Sequence, residues 1–286
     1  MRWQGRRQSG NVVDRRRIGG RGLAIGGGIG GVGGIVILVL YLLLGGNPSE
    51  ITQTFQGEGA VPSTEVGELS EKDKEMGEFV SVVLADIEDV WNEQFRQMGE
   101  DYREPRLVLF TGQVESACGY NSAAVGPFYC PGDENVYLDL DFFEDMQREL
   151  NAPGDFALAY VIAHEVGHHV QNLLGVNEQV TTQQARMGER EANQLTVRLE
   201  LQADFLAGIW AHYARQSRDF LDSADIEEGI NAAGAVGDDR IMQQTQGYVV
   251  PDAFTHGTSE QRVRWFKKGL ESGDPSQGDT FSASRL

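Results

Sequence analysis

Between residues 23 and 44 the chain carries no charge, and its second half, residues 35–44, is uniformly apolar. About twenty such residues cross a bilayer as a helix, so the pattern predicts one transmembrane helix there. Residues 45–69 are polar, rich in Gly, Glu, Thr and Ser, and without period, which predicts a flexible linker. Periodicity resumes at Ser70. Phe79, Val83, Ile87, Val90, Trp91 and Phe95 recur at helical spacing, and Ser70 with Asp73 has the form of a capping box. Short strands are predicted at residues 106–110, 125–130 and 136–140, the last two separated by the turn Pro131-Gly-Asp-Glu134.

From Asp155 the pattern is helical again, running to Leu174 and stopping at Gly175. A polar stretch leads into a long helix over 185–215, a Gly-containing helical region over 224–246, and a last helix over 259–270. The predicted fold class is α+β and mostly helical, with a small sheet just before the helix at 155. The boundaries read as a basic tail (1–22), a transmembrane helix (23–44), a linker (45–69), one domain (70–271) and a polar tail (272–286).

Charge sharpens this organisation. Seven of the 24 basic residues are arginines within residues 1–22, beside one aspartate, yet the whole chain carries a net charge of −19. The body is therefore strongly acidic, which excludes nucleic acid as a partner because phosphates would be repelled. An Arg-rich flank before an apolar span marks the cytoplasmic side. The expectation is a single-pass cell-membrane protein with its N-terminus in the cytoplasm and its C-terminal domain outside. A cleaved signal peptide is the competing reading, but its apolar region is normally shorter. Gly26, Gly30 and Gly34 form a small-xxx-small face that would allow a homodimer through the membrane helix. Cys118 and Cys130 enclose a short loop, and an oxidising compartment would join them as a disulfide; the other reading is two buried thiols.

The chemistry lies in Ala163-His-Glu-Val-Gly-His-His169. His164 and His168 are four apart, so on a helix both imidazoles share one face and can bind the same ion. Glu165 sits beside that ion without ligating it, placed as general base toward the water activated there. The extended three-histidine form needs glycine at 171 and histidine at 174; the chain has Gln171 and Leu174, so it is excluded. A catalytic zinc takes three protein ligands and keeps one open position. Glu200 and Asp204, one helical turn apart in a largely apolar stretch, supply the best candidates: Glu200 as third ligand, Asp204 holding a ligand imidazole through its free N–H. His212, Glu189 and Glu191 are the reserve ligands. His169 points away from His168 and is expected to be structural.

In combination, these motifs resemble the neutral zinc metallopeptidase family of bacterial membrane proteins (YpfJ-like). The resemblance rests on Arg2-Trp-Gln-Gly-Arg-Arg7, Asn11-Val-Val-Asp-Arg-Arg16, the Gly-rich anchor, Gly126-Pro-Phe-Tyr-Cys-Pro131 and Val136-Tyr-Leu-Asp-Leu140. It continues through His164-Glu-Val-Gly-His-His-Val-Gln171, Glu200-Leu-Gln-Ala-Asp204 and His256-Gly-Thr-Ser-Glu-Gln-Arg262. It covers most of the chain. A more distant similarity is to membrane-associated zinc proteases with the same order of motifs. The resemblance implies a zincin-like domain holding one Zn2+ per chain and hydrolysing peptide or protein substrates. It also gives meaning to His256, expected to steady the tetrahedral intermediate, with Arg262 as an alternative donor or a salt-bridge residue. The strand near 123–130 would offer an edge to an extended peptide, if it is more than an ordinary hairpin. Two other function classes stay open at this stage. One is a non-catalytic zinc scaffold that binds membrane partners; the other is a zinc amidase acting on cell-wall material.

Overall fold

The computed structural model describes residues 1–16, 69–122, 126–150, 152–216 and 220–286. The predicted membrane span, its Gly-rich dimer face and nearly all of the linker lie outside these residues. Among the described residues no helix is long and apolar enough to cross a membrane.

Six strands and eight α-helices follow the order β1 (Val12–Asp14), α1 (Glu71–Met98), β2 (Arg106–Phe110), β3 (Gln113–Ser116), β4 (Gly119–Ser122), β5 (Phe128–Cys130), β6 (Asn135–Asp139) and α2 (Asp141–Glu149). Then come α3 (Asp155–Leu173), α4 (Val176–Gln184), α5 (Glu189–Gln216), α6 (Ser223–Ala235), α7 (Asp238–Gln246) and α8 (Ser259–Ser272), all among the described residues. The expected class holds: helices dominate, and a four-stranded sheet ordered β1-β2-β6-β5 precedes the helix carrying the two histidines. β1, β2 and β6 run parallel, while β5 joins antiparallel to β6 and forms one edge of the sheet. α1 begins at Ser70 through the capping box with Asp73 and ends at Gly99 in the left-handed region. Its apolar stripe, including Phe79, Val83, Ile87 and Trp91, is buried in the main core.

Both chain ends depart from expectation. Residues 1–22 are expected as a separate basic tail, but residues 1–16 are built into the domain. Trp3 is buried against Phe79, with ring centroids 5.5 Å apart, and residues 12–14 pair with residues 107–109 of β2. The basic run masked this, because a three-residue strand among arginines has too few apolar positions to show a period. Residues 272–286 are likewise no free tail. Thr280 is fully buried and donates to the Arg198 carbonyl at 2.6 Å, while the Arg198 guanidinium bonds the carbonyls of Phe281 and Ala283 at 3.2 Å.

Smaller differences have local causes. The region 224–246 divides into α6 and α7 at Gly237, where a side chain would collide with Ser259. α4 fills part of the stretch expected to be irregular; nine mostly polar residues carry little apolar period. Cys118 and Cys130 form the expected disulfide, which ties the β3–β4 hairpin to the end of β5.

Candidate active site

Two close helix crossings assemble the site. Gly167 of α3 lies against α5, where a Cβ would come within 3.0 Å of the Ala203 carbonyl oxygen and 3.2 Å of its Cα. This brings the turn containing Glu200 and Asp204 against the face of α3 that carries the histidines. Gly208 and Gly269 make the second crossing. A Cβ on Gly208 would fall 2.1 Å from the Phe266 oxygen, and one on Gly269 the same distance from the Phe205 oxygen. α8 is thereby drawn onto α5 until Arg262 reaches Asp204. Glycine is required at these contacts because backbone meets backbone.

His164, His168 and Glu200 converge so that one ligand atom from each lies within 4.8 Å of the others. His164 Nε2 faces Glu200 Oε2 at 3.1 Å, and His168 Nε2 faces Glu200 Oε1 at 3.4 Å. Two imidazole nitrogens and a carboxylate aimed at one point are the donor set of a zinc centre with an open position, so the residues fit that ion. Behind them, each imidazole is fixed through its other nitrogen. His164 Nδ1 donates to Asp204 Oδ1 at 2.9 Å, and His168 Nδ1 donates to Gln171 Oε1 at 2.8 Å. Gln171 is itself held by the Leu199 carbonyl at 2.7 Å and by Gln202 at 3.1 Å.

Asp204 is completely buried, and its charge is met from three sides. It accepts from His164 and the Tyr160 hydroxyl, and Arg262 donates to both of its oxygens at 2.9 Å. Burial pushes its pKa up, but the Arg262 and His164 charges outweigh this and hold it below the ordinary value. Burial likewise works against charge on His164, yet the Asp204 charge and the hydrogen bonds that the ring donates to both carboxylates raise its pKa to about 10. Arg262 also donates to Tyr160 and to the Val236 carbonyl, each at 3.1 Å. The guanidinium is thus the buried salt-bridge partner of Asp204, which decides between the two roles the sequence allowed it.

A cleft of about 600 Å3 opens over these groups. Glu165, next to His164 and 9% exposed, lines it together with His256 and the β5 approach from Gly126 to Tyr129. His256 stands on the rim, with about half of its side chain exposed. Its Nδ1 contacts Asp238 Oδ1 at 3.2 Å. The other oxygen of Asp238 accepts the backbone N–H groups of Thr255, His256 and Gly257 at 2.8, 2.6 and 3.0 Å. Burial lowers the His256 pKa, but the Asp238 hydrogen bond and the nearby Glu200 charge raise it above the ordinary value. The outer edge of β5 is unpaired among the described residues, since the sheet ends there.

The structure therefore brings together His164, Glu165, His168, Glu200, Asp204 and His256. His212 stays out: its Nδ1 donates to the Leu270 carbonyl at 2.8 Å. Glu189 and Glu191 are exposed at the start of α5. His169 is fully buried and structural, accepting from Tyr129 at 3.0 Å through Nδ1 and bonding the Arg103 carbonyl through Nε2. Sequence reasoning missed Tyr160, Gln171 and Asp238. The first two carried a usable signal, for they lie one turn before His164 and one turn after His168 on the same face. Asp238 had none, because it reaches His256 only through the packing of α7 beside the turn at 255–257.

Comparison with known proteins identifies the family. The chain is 48% identical to the YpfJ protein of Escherichia coli K12 over 288 residues, covering 99% of this chain and 100% of that protein. It is 47% identical over 195 residues to Mb2605 of Mycobacterium bovis and to Rv2575 of Mycobacterium tuberculosis, covering 65% of each chain. No solved structure matches. The family model described as "Putative neutral zinc metallopeptidase" matches residues 1–281; the chain belongs to that zinc metallopeptidase family.

Proposed function

We propose that the protein is a membrane-attached zinc peptidase that hydrolyses peptide bonds, with one zinc held by His164, His168 and Glu200. The observation that carries this reading is the set of three converging donors, with Asp204 and Gln171 fixing the imidazoles and Glu165 beside them in the cleft. Zinc in that position supplies Lewis acidity toward water and a carbonyl oxygen. Glu165 acts as general base toward the attacking water and returns the proton to the leaving amine. His256, its pKa raised beside Asp238, donates from the rim to the oxyanion of the tetrahedral intermediate. An extended peptide adds to the outer edge of β5, where main-chain hydrogen bonds accept many sequences. Attachment to the membrane is assigned to residues 23–44, and the Cys118–Cys130 disulfide favours an oxidising compartment.

The test compares the full chain with Glu165→Gln, measuring bound zinc and cleavage of a complex protein mixture by N-terminal peptide profiling. The variant is expected to keep about one zinc while losing at least ~10²-fold in turnover. Loss of zinc would make Glu165 a ligand. Zinc retained in both, with no cleavage by either, would leave the scaffold reading. Release of cell-wall fragments without protein cleavage would identify an amidase.

A further inference from the structure

The N-terminal segment has a consequence for membrane topology that does not depend on the peptidase reading. Residues 1–16 share the core and the sheet of the domain. Besides Trp3 and β1, the Arg2 N–H donates to the Phe220 carbonyl at 3.1 Å, and Ser9 exchanges hydrogen bonds with Ser81. Ser9 and Asn11 also bond the buried Glu88 carboxylate at 2.6 and 2.8 Å. At the other end of the segment, Arg16 donates to the Asp73 carbonyl at 2.9 Å, in the first turn of α1. Arg16 thus lies within one side-chain length of the first turn of α1, which opens at Ser70.

A helix that crosses a bilayer once delivers its flanks to opposite faces, separated by a hydrocarbon layer about 30 Å thick. Here the described residues on either side of the apolar segment, 1–16 and 69 onward, are packed into one body. The sequence of residues 45–68 is polar and includes Glu50, Glu58, Glu65 and Glu68, a composition that predicts no second crossing. We infer that residues 1–16 and 69–286 lie on the same side of the membrane, and that the corner of the domain around Arg16 and Ser70 faces the lipid. Three arginines of the cluster, which predicts a cytoplasmic tail, have partners within the folded body. Arg7 pairs with Asp89 at 2.7 Å, Arg16 pairs with Asp14 at 2.6 Å, and Arg6 lies 4.6 Å over the Phe220 ring.

The experiment uses the full chain in native membranes, with Gly10→Cys or Glu100→Cys as the only free thiol beside the disulfide. Both positions are exposed, and a side chain at Gly10 meets nothing within 4 Å. A membrane-impermeant maleimide applied to intact spheroplasts is expected to label both or neither, and both after permeabilisation. Labelling of one with protection of the other overturns the shared side. A second arm tests the face. Arg15→Cys carries a fluorophore in lipid containing headgroup nitroxides and is expected to be quenched, whereas Glu100→Cys, beyond the far end of α1 and about 42 Å along its axis, is not. Equal quenching of the two overturns the assignment of the lipid-facing corner.

Discussion

Each ligand in the candidate centre has a different environment, and substitutions should separate them. Glu200 has its carboxylate between both Nε2 atoms, so Glu200→Ala is expected to abolish stoichiometric zinc binding in a chelator-competition titration. Among the ligands Gln171 bonds only His168, at the back of its ring, so Gln171→Ala should weaken zinc by about 10–100-fold. Equal losses in the two variants would remove the distinction. Asp204 is a poorer probe, because its loss leaves Arg262 as an unpaired buried charge, at a cost of about 3–5 kcal/mol. The Asp238–His256 pair carries a pH signature. Burial opposes both charges, yet the His256 hydrogen bond and charge hold Asp238 below its ordinary pKa, and Asp238 with Glu200 holds His256 above its own. A depressed carboxylate stabilises the fold above its unfolded value near ~3.9 and loses that as pH falls through the folded value. A raised imidazole stabilises fully below about 6.5 and loses that as pH rises through its folded value. The pair therefore supports the fold best between about pH 4 and 6.5. Asp238→Asn should move the His256 ring titration, followed by NMR, to lower pH; an unmoved titration would disconnect the two residues.

At the scale of elements, legibility followed the strength of the local signal. The α1 start was legible because Ser70 and Asp73 satisfy each other's backbone donors, and β2 because the four residues 107–110, between polar neighbours, form a compact apolar run. The metal helix was legible from its apolar approach and its stop at Gly175, and His164, Glu165 and His168 came with it. Glu200 and Asp204 were legible as a pair, since a one-turn spacing of carboxylates in an apolar stretch demands buried partners. The helix crossings were not, because the contacts at Gly167 and Gly208 join segments tens of residues apart. They make a test of how the site is assembled. Gly208→Ala improves helix propensity by about 1 kcal/mol, but its methyl group would meet the Phe266 carbonyl at 2.1 Å, where only backbone can yield. Overpacking usually costs about 1–3 kcal/mol, and a clash against backbone belongs at the upper end of that range, so it should outweigh the propensity gain and shift thermal unfolding down by several degrees. Zinc affinity should fall as well, since α8 would no longer seat Arg262 against Asp204. A Tm unchanged from the parent chain would show that the crossing tolerates a side chain.

The whole molecule differs from the sequence reading chiefly in where the domain begins. A cut at Ser70 is natural to draw from composition, because everything before it reads as basic tail, apolar segment and linker. The folded body nevertheless takes residues 1–16 as a sheet edge, a core aromatic and the hydrogen-bond partners of a buried glutamate. A fragment beginning at residue 70 would leave Phe79 and the edge of β2 uncovered, and Glu88 without Ser9 and Asn11. Loss of the Trp3 contact alone is worth about 3–5 kcal/mol on the scale of large core truncations. The fragment 70–286 is therefore expected to unfold at a temperature many degrees below the full chain and to self-associate through the exposed strand edge. A synthetic peptide of residues 1–16 should reverse both effects, with a Tm that climbs with peptide concentration as binding to the folded state requires. The same peptide with Trp3→Ala should do so only weakly. A fragment as stable as the full chain, indifferent to the peptide, would show that the N-terminal segment adds nothing to the fold, and the shared-side topology would lose its structural basis.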